Sequence, residues 1–248
     1  MNVYIYDDFL NKGRYSRTIG KVEIRLTDLG LNGKIIRLGA IKNSRDIIQN
    51  EIKNGARNIT AVGNNYTINK VINAIVDNDF YDFLKEEIMF SVIPIGSDDN
   101  SIAQSIGIKD GENACNIILA RRIEKLSLGE INGGEKYFLS KANIHCKDAG
   151  IKINGSYNLM PNNNDSIRII NLASDEENNF DHHINPKDEI LNIIIGDKAK
   201  KLSIIKANQI ELTGGEGLID ETVEIKNVKQ IKISSKKLKI IVGKDRSF

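Results

Sequence analysis

The residues best suited to chemistry lie at a turn between an apolar run and a helix-like segment. Ile59–Val62 is typical of a buried strand, and it runs directly into Gly63; the apolar positions that follow are spaced as on one face of a helix. A strand that ends in glycine and feeds a helix gathers free backbone N–H groups and the positive end of the helix dipole, which together attract phosphate. Thr67 could cap this helix or touch a phosphate oxygen. Most α/β proteins contain such a turn, and in most of them it only connects a strand to a helix.

A second turn of the same kind follows further along the chain. Pro94-Ile95-Gly96-Ser97 ends the apolar run 88–93, and Asn100 precedes a short helix predicted over Ser101–Ile106. In a parallel sheet, the carboxyl ends of consecutive strands lie on one edge, where ligands bind. We therefore expect the two turns to lie close together.

These two turns resemble the motifs of the diacylglycerol kinase and lipid kinase family. The first family motif, G-G-D-G-T-[IL]-N-E-V-[IV]-N, is similar to the stretch from Gly63 to Asn73, and the second, P-[LI]-G-[TS]-x-N-D, is similar to Pro94–Asn100. Further on, Leu128–Gly133 resembles the start of the family's second domain, and Ile219-Asp220-Glu221 falls where the family has D-G-E. The resemblance thus runs along almost the whole chain in the family's order.

The resemblance implies an ATP-dependent kinase that phosphorylates a lipid hydroxyl at a membrane surface, with ATP and Mg²⁺ as its cofactors. It places the nucleotide at the two glycine turns. It places the catalytic carboxylates, including the general base, in the second domain. The nucleotide-binding residues would be Gly63, Asn64, Asn65, Thr67 and Asn69 in the first turn and Gly96, Ser97 and Asn100 in the second; the catalytic pair would be Glu221 and Asp220.

The chain departs from the family's motifs at positions that matter for catalysis. Asn65 stands where the family has an Asp that would help to hold Mg²⁺ or shape the triphosphate site, and Ser127 replaces another acidic residue. Tyr66 replaces a glycine that lets the backbone approach phosphate. Tyr6–Leu10 stands in place of the family's N-terminal Asn-Pro-x-Ser-Gly. Because phosphoryl transfer depends on positioning and charge neutralisation, we expect kinase activity to be reduced or lost.

Two other functions remain open. An inactive family member could serve as a module that binds a nucleotide, a lipid or another protein. A soluble-substrate kinase such as an NAD kinase shares the glycine-rich motif and the two-domain plan. The second motif matches the lipid kinases more closely, which favours them over an NAD kinase.

The elements around these residues predict two domains. Up to residue 128, short apolar runs alternate with helix-like segments, as in a parallel sheet with crossover helices; after Gly129 the pattern changes to period two with frequent Gly and Asn breaks. We predict a Rossmann-like α/β domain over 1–128 and an all-β sandwich over 129–248, with the ligand site in the cleft between them. The predicted helices are Arg17–Leu29, Ser44–Asn54, Tyr66–Val76, Ser101–Ile106 and Ala114–Leu126.

Other candidate sites have simpler explanations. Asp181-His182-His183 suggests a metal site and His145-Cys146 a thiol–imidazole pair, but adjacent residues on a loop or strand point in different directions. Arg121, Arg122 and Lys125 on the predicted helix could meet phosphate or an anionic membrane, although a solvated face explains them as well. We predict no metal site.

The composition excludes several classes of protein. Of the 248 residues, 40% are hydrophobic and 27% charged, which is typical of globular proteins. Lys and Arg number 35 against 33 Asp and Glu, and Trp is absent, so the chain lacks the basic excess and stacking surface of a nucleic-acid-binding protein. Two cysteines cannot build a disulfide framework. With no apolar run long enough for a membrane helix and no basic leader, we expect a cytoplasmic protein that acts, at most, at the membrane surface.

Overall fold

The computed structural model describes residues 1–39, 43–78, 81–96, 99–145, 150–160, 166–174, 177, 184–196 and 203–248. These residues form two compact units, one of residues 1–126 with 238–247 and the other of residues 127–237 with 248. The division differs from the boundary predicted after residue 128, because the C-terminal segment belongs to the first unit. No helix among the described residues has the length and apolar character needed to cross a membrane.

The first unit alternates strands and helices. Two 3-10 turns, Asp8–Asn11 and Gly13–Tyr15, follow its first strand. Its elements are β1 (Asn2–Tyr6), α1 (Ser16–Asp28), β2 (Lys34–Arg37), α2 (Ser44–Lys53), β3 (Asn58–Gly63), α3 (Asn65–Val76), α4 (Tyr81–Leu84), β4 (Met89–Pro94), α5 (Ser101–Ser105) and α6 (Gly111–Ala120), and β5 (Ile123–Ile131) begins in it.

The second unit consists of strands. They are β6 (Lys136–Phe138), β7 (Lys141–His145), β8 (Ile151–Ile153), β9 (Tyr157–Leu159), β10 (Ser166–Ile170), β11 (Leu191–Gly196), β12 (Ser203–Ala207), β13 (Gln209–Leu212), β14 (Glu216–Ile219), β15 (Val223–Ile225) and β16 (Gln230–Ile241), whose last residues belong to the first unit.

Parallel pairing organises the sheet of the first unit. Its strands lie in the order β2-β1-β3-β4, and the end of β16 pairs in parallel with β4, with Lys239 opposite Met89. Residues 3–6 of β1 are at most 2% exposed, as expected for a central strand with both faces covered. Helices α1 and α6 pack together, and so do α2 and α3.

Antiparallel pairing organises the second unit. One sheet has the order β12-β11-β10-β7-β14-β15, and a second set of strands pairs β13 with both β8 and β16. Side chains from both sets, such as Ile144, Ile169, Ile210 and Ile231, share one core. Together with the parallel sheet, this arrangement confirms the predicted fold class, an α/β region followed by an all-β region.

Some predicted elements are wrong in detail. The helix predicted over Ala114–Leu126 ends at Ala120, because Arg121 adopts a left-handed conformation with φ of 49°, and β5 starts at Ile123. Lys125 therefore lies on a strand. The period-two pattern after Gly129 is typical of strands at Ile231–Ile233 and Leu238–Val242, and the structure joins these two segments in one strand, β16.

Candidate functional site

Three strands of the first unit end at one edge of the sheet. Tyr6 lies opposite Val62 and Gly63 lies opposite Pro94, so the residues that follow β1, β3 and β4 are neighbours. The structure thus brings the two glycine turns of the sequence together. It also adds a third turn, after β1, that begins with Asp7.

Gly63 and Thr67 are in tight contact at the first turn. A Cβ atom on residue 63 would overlap the Thr67 side chain, so this position needs glycine. The Thr67 hydroxyl, which is fully buried, donates a hydrogen bond to Oδ2 of Asp7 at 2.8 Å. Asp7 is only 5% exposed. A carboxylate of the chain itself therefore lies beside the positive end of α3, where the resemblance predicts phosphate.

The backbone donors of the first turn of α3 are bonded within the chain. Oδ1 of Asn64 accepts a hydrogen bond from Thr67 N at 3.3 Å, and the Asn64 carbonyl oxygen accepts from Ile68 N at 3.0 Å. Asn65 N donates to the carbonyl oxygen of Asp99 at 2.8 Å. The Ile68 bond is the ordinary first bond of the helix, and of the N–H groups of residues 65–67, which have no intrahelical acceptor, two are paired with oxygens of the protein. Asn64 acts as the N-cap of the helix.

Asn65 connects α3 to the first turn of α5. Its side chain is fully buried; Oδ1 accepts from Ile102 N at 3.2 Å, and Nδ2 donates to Oγ of Ser101 at 2.9 Å. The residue that replaces the family's aspartate therefore has a structural role in this chain. Its amide has both an acceptor and a donor function here, and a carboxylate has only acceptors.

Tyr66 and Asn69, which also lie on α3, do not form a phosphate-binding site either. The Tyr66 ring is 42% exposed and lies 5.0 Å from the Nζ atom of Lys70, one helical turn away. Asn69 is 3% exposed, and its Oδ1 accepts from Nδ2 of Asn73 at 3.0 Å. Both side chains contact their own helix.

The second turn borders a pocket. Gly96 has a positive φ of 114°, and its carbonyl oxygen accepts from Nδ2 of Asn100 at 2.8 Å, which closes the turn. Oδ1 of Asn100 is buried and has no hydrogen-bond donor among the described residues. Ser97 lies outside the described residues.

This pocket has a volume of about 480 Å³. Arg14, Tyr15 and Thr18 line one side of it, and Lys109 and Gly111 line another. The guanidinium of Arg14 lies 4.6 Å from the centre of the Tyr15 ring. The remaining lining residues are Pro94, Ile95, Gly96, Asn100 and Asp110. Among the predicted nucleotide-binding residues that the structure describes, Gly96 and Asn100 line this pocket.

Sequence reasoning missed Asp7, Arg14, Tyr15, Thr18 and Lys109. The first four could have been predicted from their position in the chain. They follow β1, and residues after a strand of a parallel sheet lie at the same edge as the two glycine turns. They match no family motif, so the comparison with motifs passed over them.

Asp220 lies in the second unit and anchors a tight turn. It is fully buried; Oδ1 accepts from Ser140 N at 2.8 Å and Oδ2 from Leu139 N at 3.2 Å. Asp220 and Glu221 have positive φ angles of 48° and 67° in the turn that joins β14 to β15. The carboxylate therefore holds this turn against the residues that precede β7.

Glu221 belongs to an ion-pair cluster. Its Oε1 lies 2.7 Å from Nζ of Lys141, and the same Nζ lies 2.9 Å from Oε1 of Glu177. Burial lowers the pKa of Lys141, but hydrogen bonding to Glu221 and the charge of Glu177 outweigh this effect and raise the pKa above its ordinary value. Both carboxylates are therefore engaged by the same ammonium group.

A Mg²⁺ ion of the kind that the resemblance implies does not fit the described residues of the first turn. Asp7 accepts from Thr67, and Oδ1 of Asn65 accepts from Ile102 N. Ser127 is buried, and its N–H donates to the Pro186 carbonyl oxygen. Across the described part of the chain, no group of three or more His, Cys, Asp or Glu residues could hold a metal ion. Cys146 and Asp181-His182-His183 lie outside that part.

Solved structures share this fold. A diacylglycerol kinase from Bacillus anthracis strain Sterne is 14% identical, with a TM-score of 0.76, and the match covers 98% of this chain and 97% of that one. A candidate diacylglycerol kinase from the same strain is also 14% identical, with a TM-score of 0.75 and coverage of 98% of both chains. At this identity the likeness concerns the fold alone.

Sequence comparison identifies the family. No protein with a curated description matches the sequence. A sequence profile of the diacylglycerol kinase catalytic domain matches residues 3–131, which include both glycine turns and more than half of the chain. The protein therefore belongs to the diacylglycerol kinase catalytic domain family.

Proposed function

We propose that this chain is a member of its family that has lost ATP-dependent phosphorylation of a lipid hydroxyl. The observation that carries the proposal is the internal pairing at the start of α3. Asp7 occupies the place next to Thr67, and Asn64 and Asp99 accept the N–H groups of Thr67 and Asn65. A triphosphate would have to break these bonds to reach the same donors.

The predicted catalytic carboxylates support the same conclusion. Asp220 accepts backbone N–H groups from within its own unit, and Glu221 is paired with Lys141. A general base must be able to accept the proton of the substrate hydroxyl. The Glu221 carboxylate is instead engaged by the Lys141 ammonium group.

A nucleotide-binding role is a second candidate, which the pocket of about 480 Å³ favours. Arg14 supplies positive charge for phosphate, while the charge of Lys109 is compensated by Asp245 at 3.1 Å. The volume falls in the range of small-molecule sites.

The first experiment is a calorimetric titration of the purified protein with ATP, with and without Mg²⁺. We expect Mg²⁺ to leave the affinity unchanged, because the described residues contain no group of three or more His, Cys, Asp or Glu that could hold a metal ion. If a nucleotide binds, Arg14→Gln should weaken it about tenfold, as expected for a lost charge-assisted hydrogen bond. Arg17→Gln is the matched control, since Arg17 is an exposed arginine at the start of α1, three residues from Arg14, and does not line the pocket.

The second experiment is a diacylglycerol kinase assay in mixed micelles beside an active kinase. We expect no transfer by the wild-type chain. The triple variant Asn64→Gly, Asn65→Asp, Tyr66→Gly should also remain inactive, because Asp7 and the Asp99 carbonyl oxygen still occupy the turn. Robust phosphorylation by the wild-type chain would contradict the proposal, and activity in the triple variant alone would mean that the site is eroded rather than remodelled.

A further inference from the structure

A second pocket of the first unit lies beside α6 and has a volume of about 280 Å³. One wall is a helix face that carries Asn113, Asn116, Ile117 and Ala120, which are spaced so that they share one side of α6. The opposite wall is the C-terminal segment 242–245.

Backbone contacts hold the C-terminal wall in place. Gly243 N donates to the Ile106 carbonyl oxygen at 2.8 Å, and Val242 N donates to the Arg122 carbonyl oxygen at 2.9 Å. A Cβ atom on residue 243 would overlap the backbone of Gly107, so the two glycines allow the close approach. The wall is therefore formed by the chain itself and does not depend on a ligand.

The charges around this pocket are unbalanced. Lys109, Arg122 and Lys244 line it together with a single carboxylate, that of Asp245. Asp245 lies 3.1 Å from Nζ of Lys109 and so compensates that lysine. The side chains of Arg122 and Lys244 form no hydrogen bond or ion pair with any described residue. Two positive charges therefore border the pocket without a partner.

We infer that this pocket binds a phosphate monoester carried on a small apolar group. A phosphate monoester has a charge of about −1.5 to −2 at neutral pH, which matches the two uncompensated cations. The planar guanidinium of Arg122 suits two-point contact with phosphate oxygens. Ile117, Ala120 and Val242 supply apolar surface for the organic group. The inference is independent of the proposed function, because Arg122 and Lys244 do not line the larger pocket.

The test is a calorimetric titration of the 248-residue protein with n-butyl phosphate. We expect saturable binding that Arg122→Gln and Lys244→Gln each weaken about tenfold, because each removes a charge-assisted contact. Lys85→Gln is the matched control, since Lys85 is an exposed lysine of the same unit outside the pocket and should leave the affinity unchanged. Inorganic phosphate should bind more weakly than n-butyl phosphate, because it lacks the apolar group.

A further variant keeps the test decisive if the charge substitutions disturb folding. Ala120→Glu introduces a carboxylate at the exposed end of α6, next to the two cations. We expect it to fold normally by circular dichroism and to abolish binding of n-butyl phosphate. Unchanged binding in Ala120→Glu would overturn the inference.

The same phosphate chemistry could come from a soluble molecule or from a lipid headgroup. Vesicles of phosphatidylcholine with phosphatidic acid distinguish the two sources. Competition of the vesicles with bound n-butyl phosphate would assign the pocket to a headgroup, and saturable binding without competition would assign it to a soluble monoester. The inference would be overturned if n-butyl phosphate showed no saturable binding or if the protein bound only to the vesicles. It would also be overturned if Arg122→Gln and Lys244→Gln bound n-butyl phosphate as tightly as the wild type.

Discussion

Single side chains decide whether the glycine turn of this fold remains open to a ligand. Thr67 keeps the residue type of the family motif, but its hydroxyl donates to Asp7. Asn64 and Asn65 replace a glycine and an aspartate, and their side chains bind the first turns of α3 and α5, respectively. At this turn Thr67, Asn64 and Asn65 thus form internal hydrogen bonds.

The bond between Thr67 and Asp7 should contribute to stability. Thr67→Val keeps the shape of the side chain but leaves the buried carboxylate without this donor. We expect the free energy of unfolding to fall by about 1–3 kcal/mol, measured by urea denaturation. Thr67→Ser retains the hydroxyl and serves as the control. Equal stability of Thr67→Val and the wild type would show that the bond contributes nothing.

Helix caps set where the helices of this protein begin and end, and glycines allow two backbone segments to pack closely. Helix α6 starts at an Asp110 cap whose Oδ1 accepts from Asn113 N at 2.8 Å, and it ends at the left-handed Arg121. The segment after β16 approaches Gly107 through Gly243. In contrast, Gly20 lies within α1 and has no atom near the place where a Cβ would stand.

These glycines should respond in opposite ways to the same substitution. Gly20→Ala should stabilise the protein by about 0.5–1 kcal/mol, because alanine is the better helix former and nothing opposes its methyl group. Gly243→Ala should destabilise it by about 1–3 kcal/mol, because the added methyl overlaps the Gly107 backbone. Thermal and urea unfolding of both variants test this. A neutral Gly243→Ala would mean that the C-terminal segment shifts freely.

At the scale of the whole molecule, contacts between distant parts of the chain join the C-terminal segment to the first unit. Glu86 is one centre of such contacts; it lies 2.5 Å from Nζ of Lys125 on β5 and 2.8 Å from Nζ of Lys239 on β16. Hydrogen bonds from these two lysines lower the pKa of Glu86 to about 2. The ionised form of Glu86 is therefore favoured in the folded protein.

The stability of the fold should depend on pH through Glu86. A carboxyl whose pKa is lowered by folding contributes stability above its ordinary pKa of about 4.5, and this contribution is lost as the pH falls towards 2. We expect the urea midpoint of the wild type to fall more steeply over this range than that of Glu86→Gln. High salt should narrow the difference, because Glu86 is exposed. Parallel pH profiles of the two proteins would refute the expectation.

The sequence by itself determined the alternation of strands and helices in the first region, the change to strands after it, and the family. Apolar spacing distinguishes helix from strand because the two have periods of 3.6 and 2, and this is a local property of the backbone. The predicted α1 and α3 are therefore correct to about one residue. The helix predicted to run to Leu126 failed because no glycine or proline signals the left-handed Arg121.

Only the tertiary structure decided what the motif residues do. The partners of Thr67, Asn65 and Glu221 are Asp7, Ile102 and Lys141, which lie far away along the chain. The basic pocket beside α6 likewise joins Arg122 to Lys244 from distant segments. A residue type and its spacing determine which hydrogen bonds and charges are available, but burial and the folded neighbourhood determine whether a ligand or the protein itself takes them.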